Sequence, residues 1–209
     1  MAAEQNLEEQ ILQSAEKLFI ENGFAGTSTT DIAKKVGCNQ ALVHYYFRTK
    51  ENLFLNIFTK KLEQACSKLI EPLSDIETDF FDKLSHTLSV YFDFLDSNPK
   101  LPFFVLNEIL GNSDRLNYVY EFFMSNNVRA NLYNTIDSVV QAEVAKGTIR
   151  PITTVNLVLD VVSLTVFNFL ALPIYNNLSD STQHERQQFV ADRKKEIITL
   201  IIRGLKVND

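Results

Sequence analysis

Between Ser28 and Phe47 the chain has room for two helices of about two turns each, joined by a turn of about three or four residues that contains Gly37. Ser28, followed at the third position by Asp31, is a capping box that opens the first of them. Ile32, Ala33 and Val36 form its apolar face, and Gly37 ends it by permitting a left-handed turn. Asn39 caps the second, about Gln40 to Phe47, where Val43 and Phe47 share a face. Two short helices about a glycine turn make a helix-turn-helix. In that motif the second helix lies in the major groove of DNA.

The rest of the sequence reads as helix nearly throughout, with no sustained period-two alternation. A first helix is expected over Leu7–Asn22, capped by Asn6 with Glu9 and stopped by Gly23. Thr49 caps a fourth helix from Lys50 to about Leu69, before Pro72. A fifth is expected over Asp79–Leu95, a short sixth over Pro102–Leu110, and a seventh over Asp114–Lys146 with a kink near Ser125–Asn127. The eighth spans Val155 to Ile174 and the ninth Thr182 to Leu205. The expected fold is all-α, with about nine helices: an N-terminal three-helix domain carrying the helix-turn-helix, then a larger helical domain. The expected divisions are residues 1–49, a connecting helix over 50–75, and 76–209.

Charge supports a localised anionic target. The net charge is −6, yet residues 23–50 carry Lys34, Lys35, Arg48 and Lys50 against Asp31, a balance of +3. The remainder is therefore −9. A small basic surface on an acidic body favours one defined polyanion over loose coating. Hydrophobic residues at 45% exclude intrinsic disorder, and two cysteines exclude a disulfide framework. The acidic N-terminus does not read as a signal peptide, so a cytoplasmic protein is expected.

The residue types suit DNA. Asn39 and Gln40 open the second helix of the motif, and a glutamine amide can bond adenine bidentately. Ala41 and Leu42 suit a thymine methyl. His44, Tyr45 and Tyr46 can donate to phosphate, as can Thr29 and Thr30. Lys50 stands in the first turn of the fourth helix, where its charge and the free N–H groups would face an anion.

The run from Ile11 to Phe54 resembles the DNA-binding domain of the TetR (tetracycline-repressor-like) family. The shared elements, in order and without gaps, are Ala15, Leu18, Phe19, Gly23, Gly26, Thr27, Asp31, Ile32, Ala33, Gly37, Tyr45, Tyr46, Phe47, Lys50 and Leu53. The resemblance implies a homodimeric, ligand-responsive transcriptional regulator, usually a repressor, acting on a palindromic operator in double-stranded DNA. It places Thr29, Thr30, Tyr45 and Lys50 at frequent phosphate contacts. It places Gln40, Ala41, Leu42 and His44 at positions that reach bases or their flanking phosphates. His44 departs from the pattern, since many members carry Tyr there.

The resemblance also implies a small-molecule effector, held among the fifth to eighth helices. Eleven of the 16 Phe lie beyond residue 75, and aromatic walls suit a largely apolar effector. Tyr91, Phe94, Phe103, Tyr118 and Phe122 are the candidate wall, with Asn107 as a polar anchor. The sixth helix is the expected moving element. Val161–Ser179 holds no charged residue, so the eighth helix is apolar on nearly all sides. Such a helix must be buried all round. In a chain this size a second copy does that better than a membrane, whose spans lack the polar interruptions seen here. Helices at about 155–174 and 182–205 are the expected homodimer interface.

No cofactor, metal or catalytic activity is expected. His44, His86 and His184 are scattered, and no Cys/His spacing suits zinc. No paired acid and base, Gly-rich phosphate loop or GxSxG is present. The alternative to a regulator is a helical small-molecule-binding protein with a vestigial head, acting through protein partners.

Overall fold

The computed structural model describes residues 2–74, 78–125, 128–178 and 182–207. Among these the regular structure is ten α-helices with one 3-10 turn and one π turn. They fall into two compact units, each discontinuous in sequence: residues 1–63 with 103–120, and 64–102 with 121–209. The units divide within the fourth helix, and the first takes in residues 103–120.

The first unit holds α1 (Ala2–Asn22), α2 (Thr29–Val36), α3 (Gln40–Phe47) and the start of α4 (Lys50–Ile70). Helix α1 starts before the expected cap at Asn6, because alanine, glutamate and glutamine favour continuation. The expected caps of α2 and α3 are formed. Ser28 Oγ accepts from the Asp31 N–H at 3.1 Å, and Asn39 Oδ1 accepts from the Ala41 N–H at 3.0 Å. Gly37 adopts φ +79° and donates its N–H to Ala33 O, which closes α2 and redirects the chain into α3.

Ile11, Phe19, Ile32, Val43, Leu53, Phe54 and Phe58 are sealed from solvent in this unit. Each contributes about 1.5–3 kcal/mol by burial. The rings of Phe19 and Phe24 both meet Phe54 edge-on, at 5.3 and 5.2 Å.

Residues 103–120 complete this unit with the end of α6 (Leu101–Val105), the π turn Leu106–Leu110 and most of α7 (Ser113–Ser125). Phe104 packs 5.5 Å from Phe54. The guanidinium of Arg115 is buried against the faces of Phe24 and Phe54, at 4.0 and 4.4 Å. Glu108, on the π turn, accepts the Phe24 N–H at 2.8 Å. Gly23 makes that approach possible: its φ is +72°, and a Cβ there would stand 2.9 Å from the Glu108 oxygen.

The second unit holds the end of α4, a 3-10 turn (Glu71–Ser74), α5 (Phe80–Ser97), α8 (Val128–Lys146), α9 (Thr154–Leu178) and α10 (Gln183–Leu205). The expected seventh helix is two, α7 and α8; residues 126–127 lie outside the described residues. The core runs through Leu84, Leu88, Phe92, Ile136, Val140, Leu157, Val161, Phe169, Ile197 and Ile201. Helix α10 opens with a full capping box between Thr182 and Glu185.

Within one chain, helix α9 is covered on one face only. Leu157, Val161, Thr165, Asn168 and Phe169 are buried along one face. Val155, Leu159, Phe167 and Ile174 stand out from the other, Phe167 at 68% exposure. By length and composition Thr154–Tyr175 could cross a membrane, with a mean hydropathy of 2.1.

Candidate nucleic-acid interface

Helix α3 is anchored by two side chains and presents the others. Val43 and Phe47, four apart, are buried against the head. Gln40, Ala41, Leu42, His44 and Tyr45 face solvent, Tyr45 at 70% exposure. Tyr46 is half-buried, with its ring edge-on to Tyr45 at 5.3 Å. Asn39 is exposed but spends its carbonyl oxygen on the cap.

Helix α2 brings its first turn beside α3. Thr30 is exposed, and Thr29 Oγ1 accepts from Gln40 Nε2 at 2.9 Å. The same Gln40 nitrogen lies 3.4 Å from His44 Nε2, and His44 Nδ1 lies 3.1 Å from the carbonyl of Arg48. Asp31, bonded first to the Ser28 hydroxyl, is held below the usual carboxylate range. It therefore stays ionised at the N-terminus of α2, where negative charge is favoured.

Lys50 has a task the sequence did not reveal. Its ammonium donates to Phe24 O and Thr27 O, both at 2.9 Å, and lies 4.0 Å over the Phe24 ring. It ties the loop after α1 to the start of α4. Two of its three donors are spent inside the head, so a phosphate there meets one remaining donor. The N-terminus of α4 is capped by Thr49 Oγ1, which accepts from Asn52 N at 3.0 Å.

Arg48, which in the sequence stands out only by its charge, also makes the turn after α3. It is exposed at the end of α3, with φ +63°, a conformation that non-glycine residues seldom adopt. One residue separates the end of α3 from the cap of α4, so the reversal has to occur at Arg48. That spacing was the available signal.

The six candidate effector residues are divided between the two units. Tyr91 and Phe94, on α5, and Phe122, near the end of α7, lie in the second unit, whereas Phe103, Asn107 and Tyr118 lie in the first unit and are exposed. An apolar cavity of the second unit, about 40 Å³, is lined by Leu69, Leu84, Leu88, Ile136, Val140 and Val161 among others, and by none of the six. Tyr91 is buried beside it on α5, and burial first, then Cys66, pushes its phenol up to about 12.

Fold and site define an all-helical protein with an N-terminal helix-turn-helix head. Residues 11–57 match the family of bacterial regulatory proteins described as the tetR family. The HTH-type transcriptional regulator QacR of Staphylococcus aureus is 36% identical over 92 residues, 42% of this chain and 49% of that protein. Two solved structures share the fold over almost the whole length. The hemolysin II regulator HlyIIR has a TM-score of 0.66 at 24% identity, covering 98% of this chain and 99% of that one. FadR of Bacillus subtilis, in complex with stearoyl-CoA, has a TM-score of 0.71 at 17% identity, covering 94% and 98%. Residues 11–57 are thus similar to the DNA-binding segment of the tetR family, and the likeness over the rest of the chain is one of fold. The chain spans about half the length of the curated relatives it matches.

Proposed function

We propose that this chain is a ligand-responsive, sequence-specific DNA-binding transcriptional regulator, a cytoplasmic homodimer that represses from a palindromic operator. The observation that carries the reading is the division of α3. Val43 and Phe47 fix the helix, while Gln40, Ala41, Leu42, His44 and Tyr45 are left to solvent with no role in the core. In this reading Gln40, Ala41, Leu42 and His44 meet bases or the phosphates beside them. Thr29, Thr30, Asn39, Tyr45, Tyr46 and Lys50 set the register on the backbone.

The outer face of α9, with Phe167 and Ile174, and the exposed Leu200 of α10 form the proposed surface for a second copy. Two copies place two recognition helices on half-sites about one turn, or a multiple of it, apart. The proposed effector is small and largely apolar. FadR of B. subtilis binds stearoyl-CoA, and the cavity lined by α4, α5, α8 and α9 is apolar. At about 40 Å³ it is well below the ~300 Å³ of ordinary ligand sites, so an effector must open it. Opening is then the differential contact that a release mechanism needs.

The test is selection from a random duplex library at two salt concentrations. The expected result is an inverted repeat whose affinity falls as salt rises. Protein that enriches no sequence, even after refolding free of effector, supports the vestigial-head alternative.

A further inference from the structure

The contacts around Gln40 assign it a narrower readout than a glutamine has by itself, and we propose that His44 is the positioning residue that imposes it. The proposal rests on the DNA-binding reading above. It starts at the Arg48 carbonyl, which His44 Nδ1 approaches at 3.1 Å. A carbonyl oxygen only accepts, so Nδ1 carries the proton. In the neutral ring Nε2 is then an acceptor, and the group facing it at 3.4 Å must donate: it is Gln40 Nε2. A ring protonated on both nitrogens would set two donors against each other.

The second N–H of the Gln40 amide goes to Thr29 Oγ1 at 2.9 Å. Both donors of the amide are therefore committed within the head. Oε1 is left as the end that can meet a base, with no partner among the described residues.

This changes what Gln40 recognises. Bidentate pairing with adenine uses Nε2 toward N7 and Oε1 toward the N6 amino group. With Nε2 held inward, only the acceptor is offered, so Gln40 selects bases that present an amino donor in the major groove. Those are cytosine, through N4, and adenine, through N6. Thr29 keeps its own hydroxyl proton for phosphate, which couples the backbone contact on α2 to the base contact on α3. The left-handed conformation of Arg48 accompanies the chain reversal that brings its carbonyl to the imidazole.

Two measurements test this on the full-length protein. The first is the imidazole tautomer of His44 in the DNA-free protein, from long-range proton–nitrogen spectra under mildly alkaline conditions, where an imidazole is neutral. Protonation on Nδ1 is expected, and protonation on Nε2 overturns the proposal without reference to DNA.

The second compares sequences selected by wild type, Gln40→Ala and His44→Phe. His44 is exposed, so the phenylalanine variant retains its packing. The base read by residue 40 is the one whose preference Gln40→Ala abolishes. Wild type is expected to accept cytosine and adenine there. His44→Phe releases the amide and should shift the preference to adenine over cytosine by about tenfold. An unchanged preference in His44→Phe, or a wild-type preference for guanine or thymine, overturns the proposal while leaving the regulator reading intact. Failure of wild type to enrich any sequence removes both.

Discussion

Arg115 and Glu51, 64 residues apart, form a bidentate pair: Nε donates to Oε1 at 2.8 Å and Nη2 to Oε2 at 3.2 Å. The third guanidinium nitrogen, Nη1, donates to Glu108 Oε2 at 2.7 Å. The Arg115 side chain is 7% exposed, so burial alone would weaken its charge. Glu51 and then Glu108 outweigh that, and the net effect raises its pKa. The pair joins the first turn of α4 to the first turn of α7, while Glu108 holds the loop after α1. The π turn, expected to be the element that moves, is therefore bonded into the same unit as the recognition helix.

Arg115→Met should destabilise the protein by about 2–3 kcal/mol, because two carboxylates lose their cation and two rings lose their cover. Arg115→Lys should recover less than half, since an ammonium cannot reproduce the fork. Urea denaturation measures both. A loss under about 0.5 kcal/mol for the methionine variant would show that the pair is not a structural joint.

Gly23→Ala places a methyl group at a left-handed backbone and against the Glu108 carboxylate. The expected cost is about 1–2 kcal/mol. Part of it should vanish when Glu108 is also alanine, because the crowding is then relieved. A double-mutant cycle reads this directly, and strict additivity would contradict the close approach.

Lys50→Met should lower the stability of the DNA-free protein by about 1–2 kcal/mol, because Phe24 O and Thr27 O lose a charged donor. Its effect on the salt dependence of DNA binding should not exceed about one unit of slope. A variant as stable as wild type, with DNA affinity lost, would return Lys50 to a pure phosphate contact.

Tyr91 makes stability fall in alkali. Burial favours the neutral phenol and pushes it to about 12, against about 10 in an unfolded chain. The contribution is fully present below about pH 10 and is lost as pH rises from there toward 12, because the unfolded state releases the proton first. Thermal melts of Tyr91→Phe between about pH 9 and 11 should fall less steeply than those of wild type. Parallel curves would mean that the phenol is not held neutral.

The head was largely legible in sequence because its signals are local. Ser28, Gly37, Asn39 and Thr49 each set a helix end within three residues of themselves. The tasks of Lys50, Glu108 and Arg115 were not legible, because each depends on a partner brought close only by the fold. Lys50 looked like a phosphate ligand since carbonyls 23 and 26 residues away leave no trace in a motif. The division of the effector candidates between two units was hidden for a similar reason. Aromatic spacing marks helix faces, but Phe103 and Tyr118 share a unit with the head and Tyr91 does not. Helix α9 gave the reverse lesson: its uniform apolarity signalled burial, and within one chain only one face is covered.

In the proposed mode of action two copies of this chain read a palindrome through α3. Sedimentation velocity with the selected duplex, intact or with one half-site scrambled, tests it most directly. Two or four chains per intact duplex are expected, and an affinity at least about 100-fold lower once a half-site is scrambled. One chain per duplex, or equal affinity for both duplexes, would contradict it.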